Sequence, residues 1–409
     1  MRAIVLRSPT AAPGSEPRMA RVSVEDVPVQ VPGPTDVLVR VEMCGICGTD
    51  IDACRFHPDN TPAFGGPISV PVILGHEASG LVVDVGELVT RVRPGDPVAL
   101  ESVLACSTCD TCLAGRRNQC ENVTLSGLTA PGALAEFITV PQTACHRLNL
   151  LTDSGWDLDD VFLAGCLLEP LGCVFNALFV ENRAVRPGEN VLVHGLGPLG
   201  LFAGLLCRIA GATRIVGVDP LAERRHAATE LGFDACLSPS ETHNSDNAVT
   251  LLDADVHVET SGNPTATLPV IERHLRPGSR CVLISRTHLP VSIDPNPWVS
   301  SAARLVGARG HSGGIFPYLI RLFAAGRLNP RDLIATFLDL EDVPNILGQD
   351  TSTNPRKTVI RVGTTSPSTL TAEVRSQEEP SVSPGHLPHQ RARKVVPSQP
   401  GIPRDSTSR

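Results

Sequence analysis

Cys106, Cys109, Cys112 and Cys120 stand at the spacing C-x2-C-x2-C-x7-C. Four thiolates on one tight loop can close a tetrahedral shell around Zn²⁺ with no open position, which is how a structural zinc site is built. The intervening Ser107, Thr108, Asp110 and Thr111 are the small polar residues such a loop tolerates. A disulfide knot would use the same residues. The rest of the chain points to the cytoplasm, however, where closely spaced cysteines stay reduced and bind metal. A nucleic-acid-binding zinc ribbon is disfavoured, because the stretch 105–121 has only Arg116 and Arg117 as basic residues and no aromatic ring on which a base could stack.

A second donor set lies apart from this loop: Cys44-Gly45-Ile46-Cys47-Gly48-Thr49-Asp50, then Gly75-His76-Glu77, then Glu169-Pro170-Leu171. A catalytic zinc takes three protein ligands and keeps one position open, and one Cys, one His and one Glu would meet that need. Singly, Cys47 reads as a small buried side chain and His76 as a satisfied core histidine. Their occurrence together with the four-cysteine loop favours metal. A third feature is Gly195-Leu196-Gly197-Pro198-Leu199-Gly200, directly after an apolar run and opening a helical one. Such a turn lets a pyrophosphate approach free backbone N–H groups at a helix N-terminus. Asp219 follows at the end of the next apolar run, placed to accept hydrogen bonds from a ribose diol and to repel a 2′-phosphate. That favours NAD over NADP, although Arg224 and Arg225 keep NADP in view.

These groups need two kinds of scaffold. Up to about residue 150 the chain alternates short Val-containing runs, such as Asp36-Val37-Leu38-Val39-Arg40-Val41, with Pro and Gly, the pattern of a β-rich, barrel-like domain. From about 165 to 300, apolar strands alternate with helical stretches, as in a parallel sheet with crossover helices. The fold class is therefore α/β, with a β-rich domain over 1–164 and a dinucleotide-binding domain over 165–301. Residues 302–363 rejoin the first domain and include a helix from Phe316 to Ala325 ended by Gly326. Residues 364–409 turn to Ser, Thr, Pro and Gln and read as a disordered tail.

Composition narrows the partners. The formal charge of -8, with Lys357 and Lys394 as the only lysines, argues against nucleic acid or an acidic membrane surface. The apolar run Leu196–Cys207 contains Gly and Pro and falls short of the roughly 20 residues that span a bilayer. The run after Met1 breaks at Arg7, so it reads as a first strand and not as a secretion signal.

Taken in order, Gly45-Ile46-Cys47-Gly48-Thr49-Asp50, Gly75-His76-Glu77 continuing to Gly80 and Gly86, the four-cysteine lobe, Glu169-Pro170-Leu171, the 195–200 loop and Val258-Glu259-Thr260-Ser261-Gly262-Asn263 resemble the zinc-containing medium-chain dehydrogenase/reductase family. The likeness covers roughly residues 1–363 and lies in the sorbitol and threonine dehydrogenase branch. It implies a GroES-like catalytic domain joined to a Rossmann domain, and a homodimer or homotetramer. It also implies that Cys47 and His76 ligate a catalytic zinc, with Glu77 or Glu169 as the carboxylate ligand and Cys44 a bystander. Asp50 would orient the His76 ring and Thr49 would relay the substrate proton. Where relatives usually carry His three residues later, this chain has Asp52, so Asp52, His57 or water takes the next step. Trp298, Arg309 and His311 fall in the region that relatives place near coenzyme and substrate.

The expected activity is hydride transfer between NAD(H) and a secondary alcohol: a polyol, cyclitol, sugar or amino alcohol, or the corresponding ketone in reverse. An aromatic content of 3% agrees with a polar substrate. Two other classes are a lyase or epimerase that oxidises its substrate transiently, and a non-catalytic protein that holds zinc and a dinucleotide.

Overall fold

The structure, a computed structural model, describes residues 1–9, 18–243, 252–287, 290–347 and 354–363. The segment expected to be a disordered tail lies outside the described residues.

Inward-facing Val37, Val39 and Val41 alternate with more exposed neighbours along strand Asp36–Gly45. This pattern builds the spine of a seven-stranded sheet. Strand Glu77–Val85 runs antiparallel to it with Gly45 opposite Glu77. That register sets the end of one strand, two residues short of Cys47, against the start of the other, just after His76. Gly80 permits the pairing, since a Cβ there would lie 2.0 Å from the Arg40 carbonyl oxygen. On the other flank, strand Lys357–Arg361 pairs antiparallel with the same spine, Val359 opposite Gly45, and strand Ile334–Asp339 pairs parallel with Lys357–Arg361.

The second sheet has six strands, all parallel, in the order Ala235–Leu237, Arg214–Val218, Asn190–His194, Ala254–Glu259, Leu275–Leu283, Arg304–Gly307. Numbered along the chain this is 3-2-1-4-5-6, the doubly wound dinucleotide-binding order. Its sixth strand lies past residue 301, so the sheet extends beyond the division expected there.

The division expected at 164/165 falls inside the helix Leu158–Phe175, which runs on as a π-helical turn, Asn176–Glu181. Asp157 caps this helix by accepting the Asp160 N–H. Gly165 lies flat against Ser79, whose hydroxyl donates to the Phe162 carbonyl at 2.5 Å. The stretch Leu158–Glu181 has the length and mean hydropathy (1.8) of a bilayer span, but 89% of its most apolar window is buried inside the protein. It is a core helix. Helix Phe316–Ala324 packs on it through Phe316, Leu319, Ile320 and Phe323, and ends before Gly326, whose φ of 64° is the left-handed region glycine favours.

Candidate metal centres and coenzyme loop

In the four-cysteine lobe the Sγ atoms of Cys106 and Cys120 are 3.5 Å apart and those of Cys109 and Cys120 3.9 Å apart. All four Sγ atoms lie within 4.8 Å of one another. A tetrahedron with Zn–S bonds of about 2.3 Å has S···S edges of about 3.8 Å, so the donor set fits zinc. Backbone N–H groups donate to the sulfurs: Cys109 to Cys106 and Cys106 to Cys120, each at 3.4 Å, and Asn122 to Cys120 at 3.3 Å. The Thr108 hydroxyl and the Thr108 and Cys109 amides hold the Cys106 thiol down at about 5, the thiolate form a metal needs.

At the junction of the paired strands, the Cys47 sulfur, a His76 ring nitrogen and a Glu77 carboxylate oxygen also lie within 4.8 Å of one another. Cys47 is the N-cap of the short helix Gly48–Ala53, and its N–H donates to Asp50 Oδ2 at 2.9 Å. The other Asp50 oxygen lies 3.3 Å from His76 Nδ1, and Asp50 is fully buried. Burial alone would raise the Asp50 carboxyl. The neighbouring His76 ring and the Cys47 amide pull it below its ordinary value. Cys44 is fully buried, and burial pushes its thiol well up, as befits a bystander. One soft thiolate, one imidazole and one carboxylate form a donor set that fits zinc with a position to spare.

Glu169 is not in that cluster. Its Oε1 accepts the Ser102 hydroxyl at 2.7 Å, and His311 Nε2 stands 3.7 Å from it. Glu77 is held from behind by Lys357, whose Nζ lies 2.7 and 2.6 Å from the two carboxylate oxygens and donates to the Ile46 carbonyl at 2.7 Å. Burial would push the Lys357 ammonium down, but Glu77, then Cys47 and Glu169, hold it above its ordinary value. Sequence reading did not assign Lys357 a role. The available signal was a lysine at the start of an apolar strand, in a chain with only one other lysine.

Thr49 is half-buried on the Cys47 helix. Asp52 is directed to solvent, 47% exposed and 3.9 Å from Arg55. Trp298 packs with Leu268, Ile271 and Cys281 and donates its indole N–H to Glu272. A cavity of about 440 Å³ opens where Thr61, Phe64 and Gly66 face Arg286 and Thr287, the segment after the fifth strand of the parallel sheet.

The 195–200 loop joins strand Asn190–His194 to helix Pro198–Ile209, with Gly197 as N-cap and Pro198 in the first turn. Gly195 has φ 91°, and a Cβ on Gly200 would lie 1.9 Å from the Gly195 carbonyl oxygen, so both positions require glycine. Leu199 and Gly200 continue the first turn of the helix. Asp219 accepts the Leu196 N–H at 2.8 Å and the Leu221 N–H at 2.9 Å, and Arg224 lies 3.5 Å from it.

Residues 33–150 match the alcohol dehydrogenase GroES-like domain, and residues 198–325 match the zinc-binding dehydrogenase domain. Scyllo-inosose 3-dehydrogenase of Thermotoga maritima is 32% identical over 81% of this chain and 87% of its own length. A D-xylulose reductase of Emericella nidulans is 31% identical over 79% and 88%. A solved Thermotoga maritima structure described as an alcohol dehydrogenase superposes with a TM-score of 0.79 at 30% identity, covering 88% of this chain and all of its own. The chain belongs to the zinc-containing medium-chain dehydrogenase/reductase family, in its sorbitol and threonine dehydrogenase branch. It is an oxidoreductase acting on alcohols.

Proposed function

We propose that the protein oxidises a secondary hydroxyl of a polyhydroxy substrate, a polyol or cyclitol, with NAD, and that Cys47, His76 and a carboxylate hold the catalytic zinc. The observation that carries this reading is the convergence of thiolate, imidazole and carboxylate within 4.8 Å on paired strand ends. Zinc bound there would polarise the substrate hydroxyl and lower its pKa, and NAD would accept the hydride.

The chain's own residues supply the rest. Asp50, 3.3 Å from His76 Nδ1, would orient the ring as a zinc ligand. Glu77, charge-balanced from behind by Lys357, is the carboxylate that converges with Cys47 and His76, and Glu169, held by Ser102 outside that donor set, is the carboxylate that would exchange with it. Thr49, on the helix capped by Cys47, relays the substrate hydroxyl proton outward, and Asp52, His57 or water passes it on. The glycine loop and helix N-terminus bind pyrophosphate, and Asp219, next to the loop, favours NAD over NADP.

Thirteen free cysteines suit a reducing cytoplasm. Among the described residues the strand Arg304–Gly307 ends its sheet and pairs on one side only, which leaves an edge a second copy could meet in a homodimer or homotetramer.

The test is absorbance at 340 nm with NAD or NADP and a panel of polyols, cyclitols, amino alcohols and simple alcohols, with and without chelator. Zinc-dependent NADH formation with one polyhydroxy class is the expected result. Tightly held NAD with no net NADH release would indicate a transient-redox enzyme instead.

A further inference from the structure

Behind Glu169 lies a buried polar cluster to which the reading above gives no part. The Ser102 N–H donates to His311 Nε2 at 3.3 Å, and the Ser102 hydroxyl, 3.1 Å from the same nitrogen, donates to Glu169 Oε1 at 2.7 Å. Nε2 accepts the amide proton, and Nδ1 has no hydrogen-bond partner among the described residues. With its N–H spent on His311, Ser102 is fixed, and its hydroxyl has one direction in which to donate. Glu169 Oε2 takes no hydrogen bond among the described residues. The arrangement therefore pins one carboxylate oxygen and leaves the other for the metal.

His311 is itself held with little freedom. It is wholly buried, its ring 5.2 Å from that of Phe316, and Gly172 admits it, since a Cβ there would come 3.2 Å from His311 Cβ. The backbone before it is clamped from two sides. Buried Asn176 donates to the Gly310 carbonyl at 2.9 Å. Asn118 donates to the Arg309 carbonyl at 2.6 Å and to Glu181 at 2.6 Å, while Glu181 accepts the Arg309 N–H at 3.2 Å. Asn118 lies in the turn Arg117–Gln119, between the third and fourth cysteines of the lobe. A continuous chain of contacts thus runs from the four-cysteine lobe, by way of the exposed Arg309 and the buried His311, to the Glu169 carboxylate.

We propose that Ser102 and His311 are positioning residues that aim the Glu169 carboxylate, and that the four-cysteine lobe keeps His311 in register through Asn118. This rests on Glu169 serving the Cys47–His76–Glu77 metal as the exchanging carboxylate, as proposed above. It gives the lobe a part in the reaction beyond stabilising its own loop. It also gives a part to His311, which is wholly buried with its Nε2 3.7 Å from Glu169.

The experiment replaces the catalytic zinc with cobalt(II) in the full-length protein and records its d–d absorption, a signature of ligand identity and geometry that needs no substrate. His311→Leu removes the acceptor, His311→Gln keeps one near Nε2, Ser102→Ala removes the hydroxyl alone, and Asn118→Asp removes the lobe's donor. The expected result is an altered cobalt spectrum in His311→Leu, Ser102→Ala and Asn118→Asp, partial restoration in His311→Gln, and a kcat about 10–100-fold lower with the KM for NAD unchanged. The lobe zinc should be retained in all four variants.

Ser102→Ala, the smallest change, keeps the test decisive where His311→Leu fails to fold. Wild-type spectra and kcat in Ser102→Ala and His311→Leu overturn the positioning role. A wild-type spectrum in Asn118→Asp overturns the link to the lobe. A wild-type protein that takes up no second metal overturns the reading of the catalytic site and this inference together.

Discussion

Lys357 and Glu77 form a buried ion pair against the back of the candidate catalytic metal site, with Nζ 2.7 and 2.6 Å from the two carboxylate oxygens and both side chains almost fully out of solvent. The pair depends on strand register. Gly45 faces Glu77 on one side and Val359 on the other, so a carboxylate and an ammonium from opposite flanks meet over the end of the central strand.

Lys357→Met should therefore cost about 3–5 kcal/mol, since it leaves a buried carboxylate uncompensated. Glu77→Gln in the same chain should recover a large part of that loss. Urea midpoints at fixed zinc concentration, measured on both single variants and the double, check this. A double variant no more stable than Lys357→Met alone would show that the cost lies in packing and not in charge.

The four-cysteine lobe should hold a metal of its own. Metal analysis of the purified protein is expected to give two zinc ions per chain, and Cys109→Ser to give one. Because the thiolates have little else to hold them together, loss of that ion should open the lobe to thiol-modifying reagents. Unchanged zinc content in Cys109→Ser would remove this site.

At the coenzyme loop, Asp219 ties Leu196 of the glycine turn to Leu221 after the second strand, with Arg224 alongside. Asp219→Ala should lower kcat/KM for NAD by at least about tenfold, roughly 1.4 kcal/mol, and raise the NADP/NAD preference because Arg224 is then free to meet a 2′-phosphate. Gly200→Ala, with a Cβ 1.9 Å from the Gly195 oxygen, should abolish NADH binding followed by fluorescence.

What could be read in the sequence was what is local. The cysteine lobe, the 195–200 turn and the strand–helix rhythm around it are set by spacings of a few residues, and the structure shows the corresponding geometry. Contacts across the chain were not readable. Lys357 and Glu77 are 280 positions apart, and Ser102 and His311 are 209 apart, so no periodicity links them. Short elements misled as well. Arg304-Leu305-Val306-Gly307 is a strand by pairing and too brief to show a period, so the sheet's sixth strand was placed in the other domain. The helix Leu158–Phe175 is buried nearly all round and spans the expected division, because it serves both cores.

One last relationship predicts how the protein responds to acid. His194 and His257 lie side by side on adjacent central strands, with Nε2 and Nδ1 3.3 Å apart and rings stacked at 5.6 Å. Burial, with the charge of its neighbour, drives His194 well below its ordinary value, and burial pushes His257 down to about 4. Both are neutral in the folded protein across a range in which the unfolded chain would take up protons. Between about pH 6.5 and 4 the unfolded state binds more protons, so stability is full above about 6.5 and falls as pH drops toward 4. His257→Leu should flatten this slope without affecting the neutral side. Urea midpoints from pH 8 to pH 4.5, compared between wild type and variant at fixed zinc so that metal loss affects both alike, measure the difference. Parallel pH curves for the two proteins would mean that the histidine pair has no part in acid sensitivity.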